Sequence, residues 1–178
     1  MSEELKTVVE VRDLRVEYHS GGSVVKAVNG ISFDLKKGRT LGLVGETGAG
    51  KTTTALALMR LLPDRVSHVT GGTIRVLDGD VMQMTKGQMK LLHGEIISMI
   101  FQDPMTALNP IMTVGDQIAE SLAIHNTHGH NKAEIGQRVD KLLEMVGIPA
   151  ARKKEYPVQF SGGMKQRVVI AMALACEP

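Results

Sequence analysis

A single cysteine, Cys176, is present in 178 residues, which excludes an internal disulfide and fits a reducing compartment. Charge of one sign is also scarce. Lys and Arg number 21 against 19 Asp and Glu, a formal net charge of +2, too little for the basic footprint of a nucleic-acid binder. Nowhere do 18 apolar residues follow one another, so no membrane-spanning helix is predicted, and the acidic, polar start MSEELKTVVEV lacks the apolar stretch of an export signal. The expectation is a chain that is soluble by itself, whatever it docks on. Internal repeats and low-complexity tracts are absent as well. What is abundant is apolar content: 43% hydrophobic residues suffice to bury the core of one domain of ordinary size.

The pattern of that apolar content changes along the chain. TVVEVRDLRVEY and SVVKAVNGISFDL read as strands joined through Gly21 and Gly22 and closed by the Lys-Lys-Gly-Arg turn at 36–39. TLGLVG is a short apolar run of the kind that a central parallel strand, buried on both faces, would show. A helix is predicted from Lys51 to Leu62, ended by Pro63. GGTIRVLDGD reads as a strand, TKGQMKLLH as a short helix and EIISMIF as another strand. From Thr113 the period becomes helical in TVGDQIAESLAIH and NKAEIGQRVDKLLEMVG, the second opened by Asn131 with Glu134 three residues on and stopped by Gly147.

Between the TLGLVG run and the first helix lies GETGAGKTT, the segment Gly45, Glu46, Thr47, Gly48, Ala49, Gly50, Lys51, Thr52 and Thr53. It fits G-x-x-x-x-G-K-[ST] at Gly45, Gly50, Lys51 and Thr52. Glycines allow backbone N–H groups to turn inward around phosphate oxygens, and the helix start adds partial positive charge. Lys51 is placed to reach the β- and γ-phosphates and Thr52 to ligate Mg²⁺. An accidental match is expected in on the order of one such chain in a hundred, before the strand and helix flanks are counted.

Two weaker signals follow. IFQDP sets Gln102 at a predicted strand tip about fifty residues after Lys51, where its amide oxygen could bind Mg²⁺ or an attacking water, though a strand-end Gln is more often simply solvated. In SGGMKQRVVIAMALACEP, Ser161 reads as the N-cap of a long apolar helix, and Gly162 and Gly163 leave its first N–H groups uncovered. This makes a second anion-type site about 110 residues after the first, most useful if it closes over a nucleotide held by another copy; an ordinary capped helix gives the same pattern.

Taken together and in this order, these motifs resemble the ATP-binding subunits of ABC transporters over the whole chain. GETGAGKTT is similar to the Walker A loop, Gln102 to the Q-loop glutamine and SGGMKQR to the signature motif; Tyr18 is similar in position to the aromatic residue that stacks on adenine. FQDPMTALNP and GGMKQRVVIAMALACEP resemble the oligopeptide, dipeptide and nickel import branch, with Phe160 standing where the usual signature has Leu and Met164 where it has Gln. The resemblance implies an α/β fold of P-loop NTPase type, with an N-terminal antiparallel β-subdomain and a sheet left incomplete on its C-terminal side. It further implies a β-subdomain and core with Q-loop at 1–104, an α-helical subdomain at 105–160 and the signature helix at 161–178. ATP and Mg²⁺ are the implied cofactors. Membrane permease subunits and a second ATP-binding subunit are the implied partners, at the cytoplasmic face of the membrane, with no nucleic acid expected. The Walker B aspartate, catalytic glutamate and switch histidine of the family have no counterpart up to Pro178, and no acidic residue sits in an apolar run ending in Asp-Glu. The expectation is therefore an N-terminal fragment that binds nucleotide without turnover. A soluble ABC-type ATPase acting on nucleic acid or ribosomes is the alternative, disfavoured by the near-neutral charge.

Three further stretches carry weaker readings. HNTHGH, with His125, His128 and His130, reads as a solvated connection between helices rather than a metal site. The basic stretch in ARKKEYP reads as a solvated face. Most of the eleven methionines read as adaptable core filler, with Met105 and Met112 assigned to an interface with the membrane subunit.

Overall fold

The computed structural model describes residues 5–125 and 129–178, the side chains of residues 104 and 105 excepted. The chain divides into two units, residues 1–89 and 90–178.

In the first unit, β1 (Thr7–Ser20) forms a hairpin with β2 (Ser23–Lys36) and pairs on its other edge with β3 (Ser67–Val76). A two-residue β4 (Gly79–Asp80) completes an antiparallel sheet of order β2-β1-β3-β4. β1 lies inside and alternates buried with exposed positions, but the alternation slips. Val9 and Val11 are buried, and so are Leu14 and Val16, although strict period two would turn the second pair outward. Arg12 and Asp13 form a bulge between them, with register shifts toward both neighbours and Asp13 at φ 46°. In β3, Gly72 at φ 86° lies so close that a Cβ there would stand 2.4 Å from the Asp13 carbonyl oxygen. Only glycine fits that crossing. Arg15 fastens the bulge, donating to both Asp13 carboxylate oxygens at 2.8 and 3.2 Å and to Asn29 Oδ1 at 3.2 Å.

Helix α1 (Lys51–Leu58) is shorter than predicted. It stops before Pro63 because Arg60 adopts φ 49° and the chain closes on itself, Leu61 N–H donating to Leu56 O at 2.8 Å and Arg60 N–H to Ala57 O at 3.0 Å. Helix α2 (Lys86–Leu91) crosses the division between the units.

The predicted parallel strands do not form. Residues 40–46 and 98–101 are without strand structure, and Ile97 makes only an isolated bridge to His93. Val44 is 91% exposed, and Leu41, Leu43, Ile100 and Phe101 are close to half exposed. An apolar run becomes a central strand only when flanking strands offer ladders on both edges, and the antiparallel sheet offers these residues none.

The second unit is helical: α3 (Pro104–Ala107), α4 (Val114–Ile124), α5 (Lys132–Met145) and α6 (Gly162–Leu174). The ends are set by side chains. Thr113 caps α4, accepting from Asp116 N–H at 3.2 Å while its hydroxyl donates to Asp116 Oδ2 at 2.6 Å. Asn131 and Glu134 form the capping box expected from the sequence, and α5 stops at Gly147 with Ile148 N–H bonded back to Leu143 O at 2.8 Å. Val114, Ile118, Leu143, Ile148, Phe160 and Val168 share one buried core. Gln117, 3% exposed, is fully used inside it: its oxygen accepts from Asn109 N–H, and its nitrogen donates to the carbonyls of Asn109 and Met112. This fixes the turn that leads into α4.

Leu143 is 0% exposed in this core, so Leu143→Ala is expected to cost about 2 to 5 kcal/mol, the range for truncating a buried leucine. Urea unfolding followed by circular dichroism measures it; a loss below about 1 kcal/mol would mean that the helical core does not close around this side chain.

Candidate nucleotide site

The loop from Gly45 to Gly50 is exposed for most of its length and leads directly into α1. Gly50 occupies the N-cap at φ 83°, ψ 6°, and no side chain caps the helix. A Cβ on Gly50 would lie 2.2 Å from the Ala27 carbonyl oxygen in β2, so the absence of a side chain is what lets the loop lie against the sheet. A short turn, Ala49 N–H to Glu46 O at 3.1 Å, sets the curvature. The N–H groups of Gly48, Gly50, Lys51, Thr52 and Thr53 donate to no acceptor among the described residues. Five unbonded donors at a helix start form a surface of partial positive charge, of the kind suited to a phosphate.

Lys51 folds back over this surface. Its ammonium donates to Gly45 O at 2.6 Å and Glu46 O at 2.7 Å, which holds the charge above the loop and leaves one of its three donors free. The neighbouring threonines differ in use. Thr54, 2% exposed, spends its hydroxyl on Gly50 O at 2.9 Å and so locks the first turn. The sequence reading missed this residue; its signal was a third threonine at the position whose hydroxyl can reach the carbonyl four residues back. Thr52 is exposed and its hydroxyl bonds to nothing among the described residues. A hard oxygen of this kind suits Mg²⁺. Among the described residues no cluster of three His, Cys, Asp or Glu could hold a metal ion.

Tyr18 is half-buried on β1, paired with Val25 of β2 and Ser67 of β3. It belongs to the same unit as the loop; Gln102 does not. Gln102 is exposed in a bend that precedes α3 in the second unit.

Ser161 caps α6 as predicted, its Oγ accepting from Met164 N–H at 3.4 Å. Gly162 and Gly163 are exposed, and no heavy atom lies within 4 Å of where a Cβ would stand on either, so the helix start is open to approach. The preceding segment departs from the solvated face expected of ARKKEYP. Arg152 grips Glu155 with both nitrogens, at 2.6 to 3.0 Å, donates to Gln159 O at 3.2 Å, lies 4.4 Å over the Phe160 ring and reaches Met164 Sδ at 3.3 Å. The guanidinium's hydrogen bonds and charge hold the Glu155 carboxyl below its ordinary range. Phe160 is 5% exposed, so its aromatic bulk fills core while Arg152 covers its face. Only the Glu155 pairing, three residues on, lies within reach of local spacing; Phe160 and Met164 are too far along the chain for spacing to reveal.

Among the described residues the histidines form no group of three metal-ligating side chains. His130 meets Arg138 at 3.0 Å and Glu134 at 3.6 Å; His125 stacks over Gly94 with its Nδ1 buried, so it is not a solvated residue; His128 lies outside the described residues. The Met105 side chain likewise lies outside them, and Met112 is half-buried. Burial pushes the Cys176 thiol up from its ordinary range, the nearby Glu95 charge adding to it, which makes it a poor nucleophile.

Residues 28–178 match the ABC transporter family. The dipeptide transport ATP-binding protein DppD of Bacillus subtilis is 48% identical over 176 residues, covering 98% of this chain and 52% of that relative. The oligopeptide transport ATP-binding protein OppD of Salmonella typhimurium is 47% identical over 173 residues, covering 96% of this chain and 50% of its own length. A dimeric post-hydrolysis state of the ATP-binding cassette MJ0796, bound to ADP and Pi, superposes with a TM-score of 0.83 at 23% identity, covering 96% of this chain and 70% of that one. The chain belongs to the ABC transporter family and has the α/β fold of its ATP-binding cassettes. It spans about half the length of the curated relatives it matches.

Two expectations follow from the geometry. Gly50→Ala forces a Cβ into the Ala27 carbonyl at a left-handed position, so binding of a fluorescent ATP analogue is expected to fall by at least about tenfold, roughly 1.4 kcal/mol, in line with strain of about 1 to 3 kcal/mol; unchanged binding would remove the close packing from the loop's shape. For Glu155 the folded carboxyl is depressed, so its pairing stabilises above the unfolded value of about 4.3 and is lost as pH falls through the folded value. As pH falls below the ordinary carboxylate range, Arg152→Ala is expected to unfold with a shallower acid dependence than the parent chain; parallel stability profiles would show that the pair does not couple to folding.

Proposed function

We propose that this chain supplies nucleotide binding to the ATP-binding subunit of an importer for dipeptides, oligopeptides or related solutes. The observation that carries the reading is the loop of unbonded N–H groups crowned by Lys51 and fixed against β2 through Gly50. Gly45 to Thr53 wrap the phosphates, Lys51 pairs with the β- and γ-phosphates, and Tyr18 stacks on the base. Thr52 would offer its hydroxyl oxygen to Mg²⁺, whose charge would offset that of the phosphates; for Gln102, in the other unit, the role proposed is that of an amide-oxygen ligand to Mg²⁺. Ser161, Gly162 and Gly163 present the open start of α6 to a nucleotide held by a second ATP-binding subunit. The names of the relatives support peptide as the cargo class.

The same reading makes the whole protein an ATPase at the cytoplasmic membrane face, attached through permease subunits that meet the helical segment 105–160. No helix among the described residues is long and apolar enough to cross a membrane. The 178 residues by themselves are proposed to bind nucleotide without turnover, since no apolar run in them ends in Asp-Glu to polarise a water. Action on nucleic acid is supported by nothing in the charge.

Lys51→Ala is expected to weaken ATP binding more than ADP binding, because the ammonium's partner is the terminal pair of phosphates. Calorimetric titration of both nucleotides with Mg²⁺ tests it. Equal small losses for the two would take Lys51 out of this role, and no binding of either by the parent chain would sink the proposal.

A further inference from the structure

The helical unit holds a concavity, separate in sequence from every segment placed at the nucleotide. It has a volume of about 300 Å³ and opens between α4, α5 and the turn at Ala150–Lys154. This is the low end of the range for small-molecule sites, about 300 to 1,000 Å³. Its floor is apolar: Val139 is 3% exposed, and Ala119, Ile135 and Gly136 are half-buried. The groove exists because small residues face it; a Cβ on Gly136 would meet no atom within 4 Å, so that backbone borders open space.

Charge on the walls is uneven. Lys132 and Lys154 are exposed, line the same concavity and have no ion-pair partner among the described residues. The third lysine, Lys153, is already committed to Asp140 at 2.6 and 2.9 Å. Asp116 is the acidic residue of the lining, and its carboxylate is engaged by the Thr113 hydroxyl at 2.6 Å. An apolar floor with two uncommitted ammonium groups is complementary to a ligand that carries a carboxylate on an aliphatic body.

We propose that this groove binds an aliphatic carboxylate, its hydrocarbon on Ala119, Ile135, Gly136 and Val139 and its anionic end between Lys132 and Lys154. A fatty acid and the carboxyl terminus of a short peptide with an aliphatic last residue share this chemistry. The site stands independently of the nucleotide reading, since it uses none of the residues placed there.

The test titrates the 178-residue chain with octanoate and with N-acetyl-leucine, following methyl resonances of Ile135 and Val139 by NMR and heats by calorimetry, with octanol as the uncharged control. Saturable shifts at both methyls with at least one of the carboxylates, and weaker ones with octanol, are expected; the tighter carboxylate identifies the source. Lys132→Glu with Lys154→Glu should weaken binding by about tenfold or more, while Arg at both positions should retain it. Gly136→Leu, whose side chain grows into open groove, should abolish it with the fold intact by circular dichroism. Absence of methyl shifts with both carboxylates would overturn the proposal, as would affinity equal to that of the parent chain in the charge-reversed protein.

Discussion

Everything at the phosphate-type loop depends on one close approach, that of the Gly50 backbone to the Ala27 carbonyl. The loop makes few bonds of its own: one turn between Glu46 and Ala49, and two from its own lysine. Contact with β2 supplies the rigidity that an isolated glycine-rich segment lacks, since such a segment loses more backbone entropy on ordering than any other. Once the loop is seated there, Thr54 can close the first turn of α1 on the Gly50 carbonyl. The sheet is thus the support on which the loop is shaped.

The helical unit solves a related problem differently. Its helices are short, and short helices are marginal without tertiary packing. Side-chain caps at Thr113, Asn131 and Ser161 satisfy the donors at three starts. The last of these follows a buried phenylalanine roofed by Arg152, so the exposed start of α6 is anchored by an aromatic residue one position earlier. Anchoring just behind an open helix start gives exposure without fraying, a combination that a bare cap would not provide.

Much of this was legible in the residues and some was not. The P-loop pattern, the Asn131 capping box and the Ser161 cap are local: their partners lie within a few positions, so spacing alone reveals them. TLGLVG and EIISMIF have strand-like composition, but a strand is a relation between segments, and neither segment finds a ladder in the sheet. The end of α1 was misplaced because Pro63 is a loud signal and Arg60 a silent one; the left-handed turn at Arg60 needs only local closure and precedes the proline. Arg152 was read as solvated because Phe160 and Met164 are too distant in sequence for spacing to reveal them as partners.

The bulge in β1 makes the strand a counter of parity. Arg12 and Asp13 together act as a phase shift, so that Val9 and Val11 on one side and Leu14 and Val16 on the other are all buried. Loss of one of these two residues would remove the bulge, restore strict alternation and keep Val9, Val11, Leu14 and Val16 on one face, at the cost of the local twist. Loss of both would set Val11 beside Leu14 and turn one half of the strand inside out. Sequence length in this segment is therefore constrained in its parity more than in its amount, and a change by one, which straightens the ribbon, is one that the sheet can absorb more readily than a change by two.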